Sequence, residues 1–256
     1  DIAGTIESIS KITRDTLYKC YETFYHPSNM LITVVGDVDK DEVFEQIEKN
    51  INAKEDHGEI KRIYPEENTE LHKAYVEQNM PVPTPLFYMG FKDSNYRLEG
   101  SETIKYELAV KLLLAMLIGK SSELYGELYD KGLINASFEY DFSLESSYAY
   151  SMLGGESVNP EAVKDSFIKE IKKQQKNGLN QHAFERLLKA SKGRYLRQMN
   201  SVESIARSFI NLFFKSVTMF DYLEVYDTMN FDYVSEVFNR HFDIDRLALS
   251  VVKNSK

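Results

Sequence analysis

Apolar residues recur along this chain with two periods, and the periods place most of its elements. Behind Thr13, a residue suited to an N-cap, Leu17, Cys20, Tyr21, Phe24 and Tyr25 fall on one helical face, and Pro27 stops the run. Met30, Leu31, Ile32, Thr33, Val34 and Val35 then form an unbroken, β-branched stretch that predicts a buried strand. Asp39 with Glu42 resembles a capping box and opens a helix to about Ile51. Residues 52–70 are polar and aperiodic and read as a linker.

Strands are predicted over about 71–78 and 86–92, followed by a helix over about 102–118. That helix is apolar on nearly all sides from Leu108 to Ile118, so other elements should enclose it. Ser121 or Ser122 caps a further helix that ends at Gly132. Phe138, Tyr140, Phe142 and Leu144 alternate with Glu139, Asp141, Ser143 and Glu145, which gives a strand with one core face and one wet, acidic face. Residues 148–153 form its partner, and Gly154 with Gly155 is expected to end it. Asn159 and Pro160 open a helix to Gly178, and Asn180 opens another to about Met199. Helical patterns over 202–217, 221–229 and 232–242 precede a final strand, 247–252.

Residues 15–35 and 232–252 read alike as helix, short break and strand. Asp15, Leu17, Tyr21, Tyr25, Leu31 and Val34 fall opposite Asp232, Val234, Phe238, Phe242, Ala248 and Val251. This spacing favours a duplication. Residues 1–51 are then the helix–strand–helix tail of a preceding homologous domain, and 71–256 nearly all of a second copy. The fold class is α+β, with a mostly antiparallel sheet covered by helices.

Composition narrows the function more by exclusion. Net charge is −9, and only 160–200 is positive, in a stretch that reads as a solvated helix face, so nucleic acid is not an expected partner. The longest apolar run, 108–119, contains Lys111 and is too short to span a bilayer, so no membrane is expected either. Cys20 is the lone cysteine, which fits a reducing compartment such as the cytoplasm. The five histidines include no pair at i, i+4. Where His182 and Glu185 approach a zinc-binding pattern, Arg186 stands at the place of the second histidine and would oppose a divalent metal. No nucleophile elbow or phosphate loop occurs.

Two stretches carry a resemblance. Tyr25-His26-Pro27-Ser28-Asn29-Met30 with Val34-Val35-Gly36-Asp37, and Ser121-Ser122-Glu123-Leu124 through Gly132-Leu133, resemble the insulinase/pitrilysin family of zinc metallopeptidases, the inverted zincins. The resemblance implies two homologous αβ domains forming half of a clam-shell that encloses unfolded peptides. It implies that zinc and its motif belong to an N-terminal catalytic domain, so no cofactor is expected within residues 1–256 and no catalytic residue either. It also implies a homologous partner subunit, in a homo- or heterodimer. Active members often hold the substrate backbone with an Arg and a Tyr of the second domain. Tyr129 stands at the Arg position here and Asn135 near the Tyr position, and either can hydrogen-bond a peptide. The favoured expectation is the substrate-chamber half of a metalloendopeptidase. The competing one is a non-catalytic scaffold or assembly subunit.

Overall fold

A computed structural model describes residues 2–51, 58, 60, 61, 63, 64, 66–68 and 70–254. Most of the predicted 52–70 linker lies outside the described residues. The chain divides into two compact units, one of Asp1–Tyr64 with Ser201–Ile210, the other of Pro65–Asn200 with Asn211–Lys256.

In the first unit, α1 (Ile6–Ser10), α2 (Arg14–Phe24), a 3₁₀ turn (Pro27–Asn29) and α3 (Lys40–Asn50) succeed one another. Thr13 Oγ1 accepts from Thr16 N, and Asp39 Oδ1 accepts from Asp41 N and Glu42 N, so both residues cap as predicted, but the return bond from Glu42 that would complete a capping box is not made. Residues 30–35 depart from expectation. They are extended but pair with no strand among the described residues, and Met30, Ile32 and Val34 are exposed. A strand needs a neighbouring strand for its N–H and C=O groups, and none pairs with it among the described residues. Thr33 Oγ1 is buried with no hydrogen-bond partner among the described residues.

The second unit is built on a sheet of β1 (Tyr75–Met80), β2 (Leu86–Asp93), β3 (Glu139–Leu144), β4 (Ala149–Glu156) and β5 (Leu247–Asn254), in the order β1-β5-β2-β4-β3. Only β1 and β5 run parallel; the other pairs are antiparallel, as the fold class predicts. The helices are α4 (Ser101–Ile118), α5 (Glu123–Asp130), α6 (Pro160–Asn177), α7 (Gln181–Gln198), α9 (Met219–Thr228) and α10 (Phe231–His241), with α8 (Val202–Phe213) across the division between units.

Strand parity builds the core. Phe87, Met89 and Phe91 of β2 share a face with Leu153 of β4, Phe142 of β3 and Leu249 of β5, and all are buried. The hairpin sides fall as predicted: Phe138, Phe142 and Leu144 are buried while Glu139, Asp141 and Glu145 are exposed. Helix α4 is buried on most of its circumference because α7, α9, α10 and β3 all pack on it. Each large apolar side chain enclosed here contributes roughly 1.5–3 kcal/mol. One boundary departs from expectation: Gly154 and Gly155 lie inside β4 instead of ending it. A Cβ on Gly154 would sit 2.1 Å from the Phe87 carbonyl oxygen, so glycine serves close strand approach there.

The stretches 14–29 and 231–246 match in their element bounds. Helix α10 begins and ends 217 residues beyond α2, and a second 3₁₀ turn, Ile244–Arg246, lies at the same offset from the first. His26 accepts from Ser28 N and Asp243 from Asp245 N, at corresponding places.

Candidate functional site

The turn that carries Tyr129 and Asn135 is set by the end of α5. Ser122 caps the helix start, accepting from Tyr125 N at 3.1 Å. At the other end Gly132, at φ 66°, donates to the Tyr129 carbonyl and Leu133 N to the Leu128 carbonyl, the paired bonds of a Schellman stop. Tyr129 is 51% exposed and stacks on Tyr125 with ring centroids 6.0 Å apart. Asn135 lies beyond the turn. Its Oδ1 accepts from Ser137 N at 2.8 Å and its Nδ2 donates to Glu156 Oε2 at 2.8 Å. The phenol is therefore open to solvent, while both ends of the Asn135 amide are engaged within the fold.

Asn135 leads to the outer face of the sheet, because Glu156 pairs with Leu86 across β2 and β4. This face is more apolar than its acidic residues suggest. Tyr88 and Tyr150 are about 40% exposed on it. Tyr88 OH donates to Glu139 Oε1 at 3.1 Å, and Tyr148 stacks on Tyr150. Between them runs a trough of about 260 Å³, lined by Val76, Tyr88, Gly90, Tyr150, Met152 and Ala248 among others. Gly90 keeps its middle open, since no side chain rises from that position.

Beneath the sheet lies a constellation that sequence reading missed. His241 Nδ1 is 2.6 Å from Asp93 Oδ2 and its Nε2 is 2.9 Å from Ser151 Oγ. Tyr106 OH donates to Asp93 Oδ2 at 2.5 Å, Asn95 N donates to Asp93 Oδ1 at 2.8 Å, and Phe91 N donates to Ser151 Oγ at 3.3 Å. With the imidazole proton on Nδ1, facing Asp93, Nε2 accepts from the Ser151 hydroxyl and every donor finds an acceptor. Burial alone would raise the Asp93 carboxyl, but the hydrogen bonds from His241, Tyr106 and Asn95 hold it below its usual value. Burial and the Asp93 charge push the Tyr106 phenol up. The order Ser, His, Asp resembles a hydrolytic triad. Ser151 is 1% exposed, however, and its oxygen is committed to His241 and Phe91, so the array joins α10 to β2 and β4 and is no nucleophile. The signal available in the sequence was a polar residue at an apolar phase: Ser151 between Ala149 and Leu153, and His241 on the face of Val234, Val237 and Phe238.

Among the described residues no group of three or more His, Cys, Asp or Glu could hold a metal ion. Glu185 accepts from Gln181 Nε2, and Arg186 reaches Ser121 Oγ at 3.4 Å, so the His182–Arg186 stretch is an ordinary helix face. No helix among the described residues is long and apolar enough to cross a membrane.

A mostly antiparallel sheet covered by helices, with the Pro27–Asn29 turn ahead of it in sequence, defines an α+β domain of the peptidase type that the resemblance implies. The sequence matches the family described as Peptidase M16 inactive domain over residues 11–191, most of the chain, and the chain belongs to that family. It is 37% identical over 254 residues to "Uncharacterized zinc protease YmfH" of Bacillus subtilis, covering 98% of this chain and 59% of that protein. It is 25% identical over 213 residues to "Zinc protease PqqE" of Helicobacter pylori, covering 80% of this chain and 47% of that one. A putative M16-like peptidase from Alicyclobacillus acidocaldarius superposes with a TM-score of 0.93 at 31% identity, over 100% of this chain and 61% of the other. The chain thus spans about half to three-fifths of the length of these relatives.

Proposed function

We propose that this domain forms one wall of the peptide chamber of a zinc metalloendopeptidase. Zinc and its general base are supplied by a homologous N-terminal catalytic domain elsewhere in the full-length protein, and a homologous partner subunit closes the chamber. The observation that carries this reading is the outer sheet face. An apolar trough with two half-exposed tyrosines and a carboxylate at Glu139 suits an extended, unfolded polypeptide better than it suits water. Tyr129 adds an exposed phenol at the end of α5, and the lone thiol of Cys20 supports a cytoplasmic setting.

A scaffold or assembly role is the second reading, favoured by Asn135, whose amide is already occupied by Glu156 and Ser137. Steady-state kinetics of the full-length protein with its partner separates the two. Changing Tyr88 and Tyr150 together to Ala removes two aromatic contact surfaces, each worth about 1 kcal/mol. KM for an unfolded peptide should then rise about thirtyfold with kcat held, and the protein should still fold cooperatively. Unchanged KM with weakened subunit assembly would favour the scaffold.

A further inference from the structure

A second recess opens on the helical side of the sheet, away from the trough. It lies between α4, α7 and β3 and has a volume of about 230 Å³, the share of liquid held by roughly seven or eight waters. Leu112, Ala115 and Leu187 form an apolar wall, and Lys111, Tyr140 and Arg194 face it.

The charges around the recess do not cancel. Lys111 Nζ is 2.7 Å from Glu107 Oε1 and 3.9 Å from Asp141 Oδ1, and Lys215 Nζ is 3.4 Å from Glu107 Oε2. Two carboxylates thus face two ammonium groups. Arg194 is the remaining cation, and it forms no ion pair among the described residues. Tyr140 is half-buried, and its hydroxyl has no hydrogen-bond partner among the described residues. Burial pushes the Tyr140 phenol up while the nearby Arg194 guanidinium pulls it down; the net rise keeps it a donor. Ser191 Oγ at the rim is paired with Tyr226 OH at 2.9 Å.

We propose that this recess binds a carboxylate carried on a short aliphatic group. The planar guanidinium of Arg194 meets the carboxylate as a fork, the Tyr140 hydroxyl donates a further bond, and the aliphatic part lies against Leu112, Ala115 and Leu187. One uncompensated cation matches a monoanion. A phosphate dianion would leave a negative charge unmatched by Arg194 in a half-enclosed space. Such a carboxylate is found at the C-terminus of a polypeptide ending in an apolar residue and in a free branched carboxylic acid.

The test titrates the full chain with 4-methylpentanoate, N-acetyl-leucine and the uncharged 4-methylpentanamide, by calorimetry and by backbone amide shifts. The acids are expected to bind with Kd on the order of 1 mM, as befits ligands of this size, and the amide at least about tenfold more weakly. Arg194→Met should weaken the acids about tenfold and Tyr140→Phe about threefold, while Asp141→Asn, which removes a competing carboxylate, should strengthen them. Tighter binding of N-acetyl-leucine assigns the recess to a chain terminus; equal binding assigns it to a free acid. Equal affinity for acid and amide, or an Arg194→Met variant that binds unchanged, overturns the proposal. Arg194 is exposed, so its substitution leaves the fold to carry the ligand test.

Discussion

Replacing Asp93 by Ala should destabilise the second unit by about 2–4 kcal/mol, the cost of leaving several buried donors without their carboxylate acceptor. The side chains of His241 and Asp93 are 0% and 2% exposed, so water cannot take over the lost bonds. Tyr106 OH, His241 Nδ1 and Asn95 N would all lose their acceptor at once. Urea unfolding of the full chain measures the effect, and a loss under about 1 kcal/mol would contradict the structural role given to the array. The pair should also be non-additive: with Ala at 93, changing His241 to Leu should cost much less than it does in the unaltered protein. Acid adds a third readout. A carboxyl held below its usual value in the folded state stabilises the protein above the unfolded value near 4 and loses that contribution as pH falls through the folded value. Stability should therefore fall on acidification below about pH 4, and Asp93→Asn should flatten that fall.

Gly90→Val should be comparably severe, by about 3 kcal/mol or more, and for a different reason. A Cβ at Gly90 would sit 1.9 Å from the Ser151 carbonyl oxygen and 3.2 Å from Met152 Cα. Both are backbone atoms of the neighbouring strand, so no side chain can swing aside. The sheet itself must shift, carrying Ser151 with it. Gly126→Ala provides the contrast. Gly126 lies inside α5, a Cβ there meets nothing within 4 Å, and the substitution should stabilise by about 0.5–1 kcal/mol. Thermal melts of the two variants should move in opposite directions. A Gly90→Val protein that melts with the unaltered chain would refute the close approach.

The features legible in the sequence are those decided by local grammar. Thr13, Asp39, Ser122, Asn159 and Asn180 cap helices where their spacing predicts, because a cap is decided within four residues. The hairpin register was legible for the same reason, since a period of two leaves one choice of face. Properties that depend on distant partners were not. The 30–35 stretch has the composition of a strand, yet a strand exists only where another chain segment accepts its hydrogen bonds. Gly154 and Gly155 resemble a stop until the close passage of Phe87 and Ser137 is known. At the candidate site, the exposure of Tyr129 follows from its place at a helix end, but the engagement of Asn135 with Glu156, 21 positions away, does not. The Asp93–His241 contact joins residues 148 positions apart and had no local signature beyond a polar side chain at an apolar phase.

The strand order has a consequence for how the domain is made. Strand β1 has β5 as its neighbour, and β5 in turn joins β1 to the β2-β4-β3 group. About 150 residues separate β2 from β5 in sequence. As a ribosome delivers the chain, the β2–β4–β3 sheet can form early, but β1 and β2 present open edges until 247–254 have emerged. Closure then requires a strand to insert between two waiting edges, parallel to one and antiparallel to the other. That step carries a large loop-closure cost and makes folding slow relative to a helical bundle of the same length. During the interval, holding those edges apart falls to chaperones or to the speed of translation, and a nascent chain stalled before residue 247 would be prone to pair with its neighbours.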